Sequence, residues 1–272
     1  MHFIVSHAVW VAFCAACLVI QTIQLLQQPQ NFHLAAFVFC ATLCSYNFHY
    51  ILASGLSRQT ISFALFRNRI SGVIVFAIGF TGATILFNKA NISLAHLVVA
   101  ALLTLLYSIP LLPFKQTAFT RRAGFLKTLL LAFTWMFVTA FLPLVQQQLQ
   151  FKAIGILIMA KRFLFMLMLC IIFDNRDVAV DKVHGLHSLA TDLQPKTMQW
   201  LITVVFASLF TLNFFLGRHG VDAKQVLALQ VSALATLFVY FYSTKKRGYL
   251  FYYFIVDGMM ALMAGLTTIA SI

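Results

Sequence analysis

The chain has 272 residues, 62% of them hydrophobic and 9% charged, with a mean hydropathy of +0.93. A soluble domain carries near 25% charged residues, so a water-soluble globular protein is excluded. The formal charge of +13 does not point to nucleic acid, because the basic residues fall in short connections between apolar runs, the pattern of loops that face anionic headgroups.

Nine apolar segments follow one another, at about 3–26, 32–54, 70–88, 94–112, 125–145, 151–173, 198–217, 224–243 and 249–271, each near the length that crosses a bilayer. The expectation is an all-α polytopic bundle of about nine transmembrane helices forming one domain over residues 1–272. The first segment lacks a basic n-region and a small-x-small cleavage site, which predicts a retained helix rather than a signal peptide. Cys14, Cys17, Cys40, Cys44 and Cys170 all lie inside apolar segments and read as small packing residues, not as a zinc site or disulfides.

Loop charge predicts the orientation. Arg58, Arg67 and Arg69 lie between segments two and three. Lys115, Arg121 and Arg122 lie between four and five, and Lys245, Lys246 and Arg247 between eight and nine. The alternate loops are poorer in Lys and Arg, so the even-numbered loops and the N-terminus are expected in the cytoplasm of a bacterial inner membrane.

The acidic residues are the rarest signal. All six are Asp, and Asp174, Asp177 and Asp181 fall within thirteen positions directly after the apolar run Phe163 to Phe173. On a helix these three span about 60° and share one face. Like charges at that spacing repel, and a divalent cation resolves the repulsion. Magnesium suits a few carboxylates, retained waters and substrate phosphates. The alternative is a solvated loop with ion pairs to Arg176 and Lys182.

The run Phe173-Asp174-Asn175-Arg176-Asp177-Val178-Ala179-Val180-Asp181-Lys182-Val183-His184-Gly185-Leu186-His187-Ser188-Leu189 resembles the second Asp-rich motif of the UbiA-type intramembrane prenyltransferases. Tyr107-Ser108-Ile109-Pro110 with Lys115, and Gly124-Phe125-Leu126-Lys127 with Trp135, are similar to two further segments of that family. The resemblance implies a UbiA-like bundle that transfers a polyprenyl group from its diphosphate to an aromatic or other lipophilic acceptor. It implies Mg2+ held by Asp174, Asp177 and Asp181, and a diphosphate contacted by Asn47, Lys115, Lys127, Arg176 and Lys182. The implied partners are the polyprenyl diphosphate, the acceptor and membrane lipid, without nucleic acid.

One departure stands out. The family's first Asp-rich motif should lie at the end of the second helix, where this chain has Tyr46-Asn47-Phe48-His49-Tyr50-Ile51-Leu52-Ala53-Ser54. Asn47 matches the motif's Asn, and every Asp is absent. Asn47 and His49 diverge by roughly 200° on a helix and do not share a ligand. Arg58, Arg67 and Arg69 are either phosphate-binding forks or topology determinants. A non-catalytic relative that binds a lipid diphosphate or a partner is therefore the second reading. A small-solute transporter using Asp257 and Lys161 is the third.

Three features stay open on sequence alone. Lys161 and Arg162 mark either a helix start, a snorkelling pair or a polar cavity. Asp257 is an intramembrane carboxylate, functional or paired with a cation of a neighbouring helix. Phe163, Phe165 and Phe173 either pack or line a route for an allylic cation.

Overall fold

A computed structural model describes residues 8–56, 63–108, 124–184, 188–245 and 247–272. Among these, nine long helices follow the order of the apolar segments. They are α1 (Val9–Leu25), α2 (Phe32–Leu56), α3 (Phe63–Lys89), α4 (Leu94–Ser108), α5 (Gly124–Met136 continued through Phe137–Phe141 and Leu142–Gln146), α6 (Ala153–His184), α7 (Pro195–Arg218), α8 (Ala223–Ser243) and α9 (Phe251–Val256 continued by Asp257–Ile269). A single turn, Leu189–Asp192, links α6 to α7, capped by Ser188 through a reciprocal pair of bonds with Thr191. Helices are what a bilayer demands, because each satisfies its backbone groups internally.

Six of the helices are long and apolar enough to cross a membrane, and α1, α4 and the first part of α2 are shorter apolar helices. From α4 to α9 each helix packs on the next in chain order, and α9 then packs on α1, α1 on α2 and α2 on α3. The sixth helix is the most enclosed span and the third the most peripheral, with 61% and 11% of their apolar windows buried.

Where α2 and α3 meet, small residues let the backbones approach. A side chain at Gly79 would come within 2.9 Å of the Cys40 carbonyl, and one at Gly82 within 2.7 Å of Cys40 Sγ. Small residues at such contacts drive helix association in lipid, where water contributes no hydrophobic force. All five cysteines are free, and Cys14 and Cys170 are fully buried, in keeping with their reading as packing residues.

Two helices are widened by a π turn. In α5 the turn at Phe137–Phe141 precedes Pro143, which has no N–H to offer the carbonyl four residues back. That carbonyl, of Thr139, instead accepts 2.8 Å from Thr22 Oγ1 of α1. In α9 the π turn spans Phe251–Val256, and the carbonyl of Phe254 accepts 3.0 Å from Trp10 Nε1, whose ring also stacks on Phe254. Each π turn is thus tied to α1: the Thr139 carbonyl gains a donor in place of the N–H that Pro143 lacks, and the Phe254 carbonyl, which also accepts from the Asp257 N–H, gains a second one from Trp10.

The expected end of the sixth helix at Phe173 is corrected: α6 runs unbroken to His184. Hydropathy falls after Phe173 because polar residues begin, whereas the backbone hydrogen bonding carries on. The third helix also starts earlier than its apolar segment, at Phe63 rather than 70. Arg67 and Arg69 therefore stand on its first turns, with side chains outside those described, and Arg58, Lys115, Arg121 and Arg122 lie outside the described residues.

Candidate functional site

The extension of α6 makes the Asp cluster a helical face, as its spacing predicts. Asp174 and Asp177 stand one turn apart near the apolar core, both half-buried. Asp174 accepts a 2.7 Å hydrogen bond from Thr128 Oγ1 of α5, so the packing of α5 on α6 fixes this carboxylate. Asp181 lies on the next turn of the same helix, and its side chain and that of Lys182 fall outside those described.

Arg176 folds back onto its neighbour. Its Nε and Nη2 donate to the two carboxylate oxygens of Asp177 at 2.7 and 2.8 Å, a two-pronged ion pair. The guanidinium also stands 5.0 Å from the ring centre of Phe173, 5.5 Å from Tyr252 and 4.8 Å from Tyr253. Two of these rings come from the π turn of α9, so α6 and α9 build this cation–aromatic cluster together. Such contacts suit Arg, whose planar charge stacks on ring faces. Nη1 of Arg176 is buried and has no hydrogen-bond partner among the described residues. The reading of the cluster as ion-paired therefore holds for Asp177, with Arg176 as its described partner.

The other expected contacts are placed separately. Lys127 precedes Thr128 on α5, which puts it at the same end of the bundle as Asp174, and it is half-buried. Asn47 is buried on α2 and donates 2.9 Å to the carbonyl of Leu43 on its own helix. Its flanking rings, Tyr46 and Phe48, are exposed. The side chain of His49 is outside those described.

Magnesium favours hard oxygen donors and keeps several waters, so it does not need a closed protein cage. Asp174 and Asp177 offer such oxygens on one face, with Asp181 on the following turn. Among the described residues no group of three His, Cys, Asp or Glu side chains is close enough to hold a metal by itself. The described donor set fits an ion whose shell is completed by water and phosphate, and not a fully coordinated structural metal.

Deeper in the bundle the three open features resolve. Lys161 and Arg162 neither start the helix nor reach its surface; both are 0% exposed, two to three turns inside α6. Arg162 Nη2 donates to the Leu18 carbonyl (3.1 Å), Gln21 Oε1 (2.8 Å) and Thr22 Oγ1 (3.0 Å) of α1. Asp257 is buried where the π turn of α9 becomes regular helix, and it makes no ion pair among the described residues. Of the two readings of Asp257, a functional carboxylate or one paired with a neighbouring cation, the described residues show no ion pair for it, and the long Arg176 side chain is bonded to Asp177. Phe165 is fully buried packing in the core, and Phe163 packs against that core. Phe173 faces Arg176.

Thr128, Tyr252 and Tyr253 were not expected at the site. Thr128 directly follows a residue that the motif resemblance singles out. The tyrosines become visible only through the folding of α9 onto α6.

No protein-family model matches the sequence, and no curated protein matches it. Among solved structures, the apo structure of a UbiA homolog from Aeropyrum pernix K1 is similar over 96% of this chain and 96% of its own, with a TM-score of 0.61 and 15% sequence identity. The likeness is one of fold, spanning both chains nearly end to end: this is a multi-pass membrane protein with the UbiA-like bundle.

Proposed function

We propose that the protein is a magnesium-dependent intramembrane prenyltransferase, which binds a polyprenyl diphosphate at the Asp174–Asp177 end of the bundle and transfers the prenyl group to a lipophilic acceptor. The observation that carries this reading is the placement of Asp174, Arg176 and Asp177 together on the enclosed helix of a UbiA-like fold. Asp174 and Asp177, with Asp181, would hold the magnesium, which would offset the charge on the departing diphosphate. Thr128 holds Asp174 in one orientation.

Arg176 Nη1, which has no hydrogen-bond partner among the described residues, is the donor for a phosphate oxygen. Lys127, and Lys115 and Lys182 by resemblance, neutralise the same group, and Asn47 contacts it from α2. The apolar helices keep water from the reacting carbon, and the prenyl tail runs along the bundle into lipid.

Asn47, bonded to its own helix with no Asp beside it, favours a second reading in which the diphosphate is bound without turnover. One experiment separates the two. Detergent-purified protein is titrated with farnesyl diphosphate with and without Mg2+, while free diphosphate is followed in the presence of a panel of aromatic acceptors. The enzyme reading expects Mg2+-dependent binding with diphosphate release, and loss of both in a folded Asp177→Asn variant. Binding without release for every acceptor supports the second reading. Binding indifferent to Mg2+ and to Asp177→Asn removes both.

A further inference from the structure

The end of the bundle opposite Asp174 carries a second polar system. The C-terminal end of α1, the α7–α8 connection and the chain's last residues enclose an open cleft of about 460 Å³, lined in part by Gln24, Gln28, Asp222, Lys224 and Gln225. From its floor a ladder of polar side chains leads inward. Gln24 Oε1 accepts 2.8 Å from Thr268. One turn deeper, Gln21 donates 3.0 Å both to Thr267 Oγ1 and to the Met263 carbonyl. The same Gln21 accepts from Arg162, so the ladder ends on the buried cations.

Those basic groups are poorly compensated. Lys161 and Arg162 are adjacent and fully enclosed, and neither forms an ion pair among the described residues. All described partners of Arg162 are neutral, and its Nε and Nη1 have none. The only described partner of Lys161 Nζ is the Met263 sulfur at 3.9 Å, a weak acceptor. Taking even one ion out of water costs several kcal/mol, and a neutral shell returns only part of it. Arg cannot escape by losing its proton. The carboxylates of the other end are remote: Asp174 is twelve residues on, about 18 Å along the helix axis.

We propose that Lys161 and Arg162 form an interior site for a small inorganic anion of halide size, reached through the glutamine-lined cleft. Arg162 Nε and Nη1 and Lys161 Nζ are its donors, and Gln21 and Thr22 hold the guanidinium in place from α1. The full burial of both side chains in the apolar bundle selects a weakly hydrated monovalent ion over phosphate, which parts with water at greater cost. The bound anion ties α1, α6 and α9 together, whatever the carboxylate end binds.

The test uses the full chain in detergent at constant ionic strength, with gluconate exchanged for chloride or bromide. The wild type is expected to gain several degrees of thermal stability with a saturable dependence on halide, and to broaden the 35Cl resonance of free chloride in a way that bromide reverses. Lys161→Met is expected to abolish the broadening. No excess broadening in the wild type, or broadening unchanged in folded Lys161→Met, overturns the proposal. If that variant does not fold, bromide anomalous scattering from wild-type crystals decides. A peak at Arg162 supports the site, and peaks only elsewhere, or none, overturn it.

Discussion

Single side chains do disproportionate work in this protein because polar groups are so few. Of six aspartates, Asp222 caps α8 by accepting from the Lys224 backbone and Asp192 sits in the capped turn after α6. That leaves the three of the α6 face and Asp257. Thr128 is the residue whose removal is most informative, since it touches Asp174 without being a candidate ligand. Hydrogen bonds to charged groups contribute about 1.5–3 kcal/mol. Thr128→Val is therefore expected to weaken Mg2+-dependent farnesyl diphosphate binding by roughly tenfold or more, measured by titration, with little change in the unfolding temperature. Unchanged affinity would mean that Asp174 needs no positioning. The carboxylates themselves were legible in the sequence, because rarity and helical spacing both mark them. Their partners were not. Arg176 chooses Asp177 and three rings because of where α9 folds, and no local spacing encodes that.

At the level of helices, hydropathy located all nine but misjudged two ends. Apolar length reports where lipid contact stops, whereas a helix stops where its backbone bonding does, so α6 outlasts its apolar run by three turns. The π turns were equally hidden, although Pro143 is their local cause in α5. Thr22 is the joint of that region: it accepts from Arg162 and donates to the carbonyl that Pro143 leaves open. Thr22→Val strands the Thr139 carbonyl in the interior, at about 1–3 kcal/mol for a buried polar group left unpaired, while Arg162 Nη2 keeps the Leu18 carbonyl and Gln21 Oε1. A fall of several degrees in the thermal midpoint is expected, with Ser at the same position restoring most of it. An unaltered midpoint in Thr22→Val would show that this contact contributes nothing. Gln21 and Thr22 stood in plain view inside an apolar segment, yet their partner lies 140 residues or more away.

Across the whole molecule, α6 is bound at two levels: through Arg162 to α1, and through Arg176 to the aromatic turn of α9. Since α1 also packs on α9, these three helices close a triangle of mutual contacts. Among the described residues the hairpin of α2 and α3 packs on that triangle chiefly along α1, and α3 is the least enclosed of the spans. Spin labels at Phe13 of α1 and Ile156 of α6, both exposed, are expected to give a narrow distance distribution that substrate leaves unmoved. A label at Ile78 of α3, also exposed, paired with Ile156, is expected to give a broad one that shifts. Equal widths for the two pairs would contradict this division. In mechanical terms the triangle is a stator. Under the proposed function, a prenyl chain that enters sideways from lipid meets the least enclosed part of the bundle at α3, 11% of whose apolar window is buried.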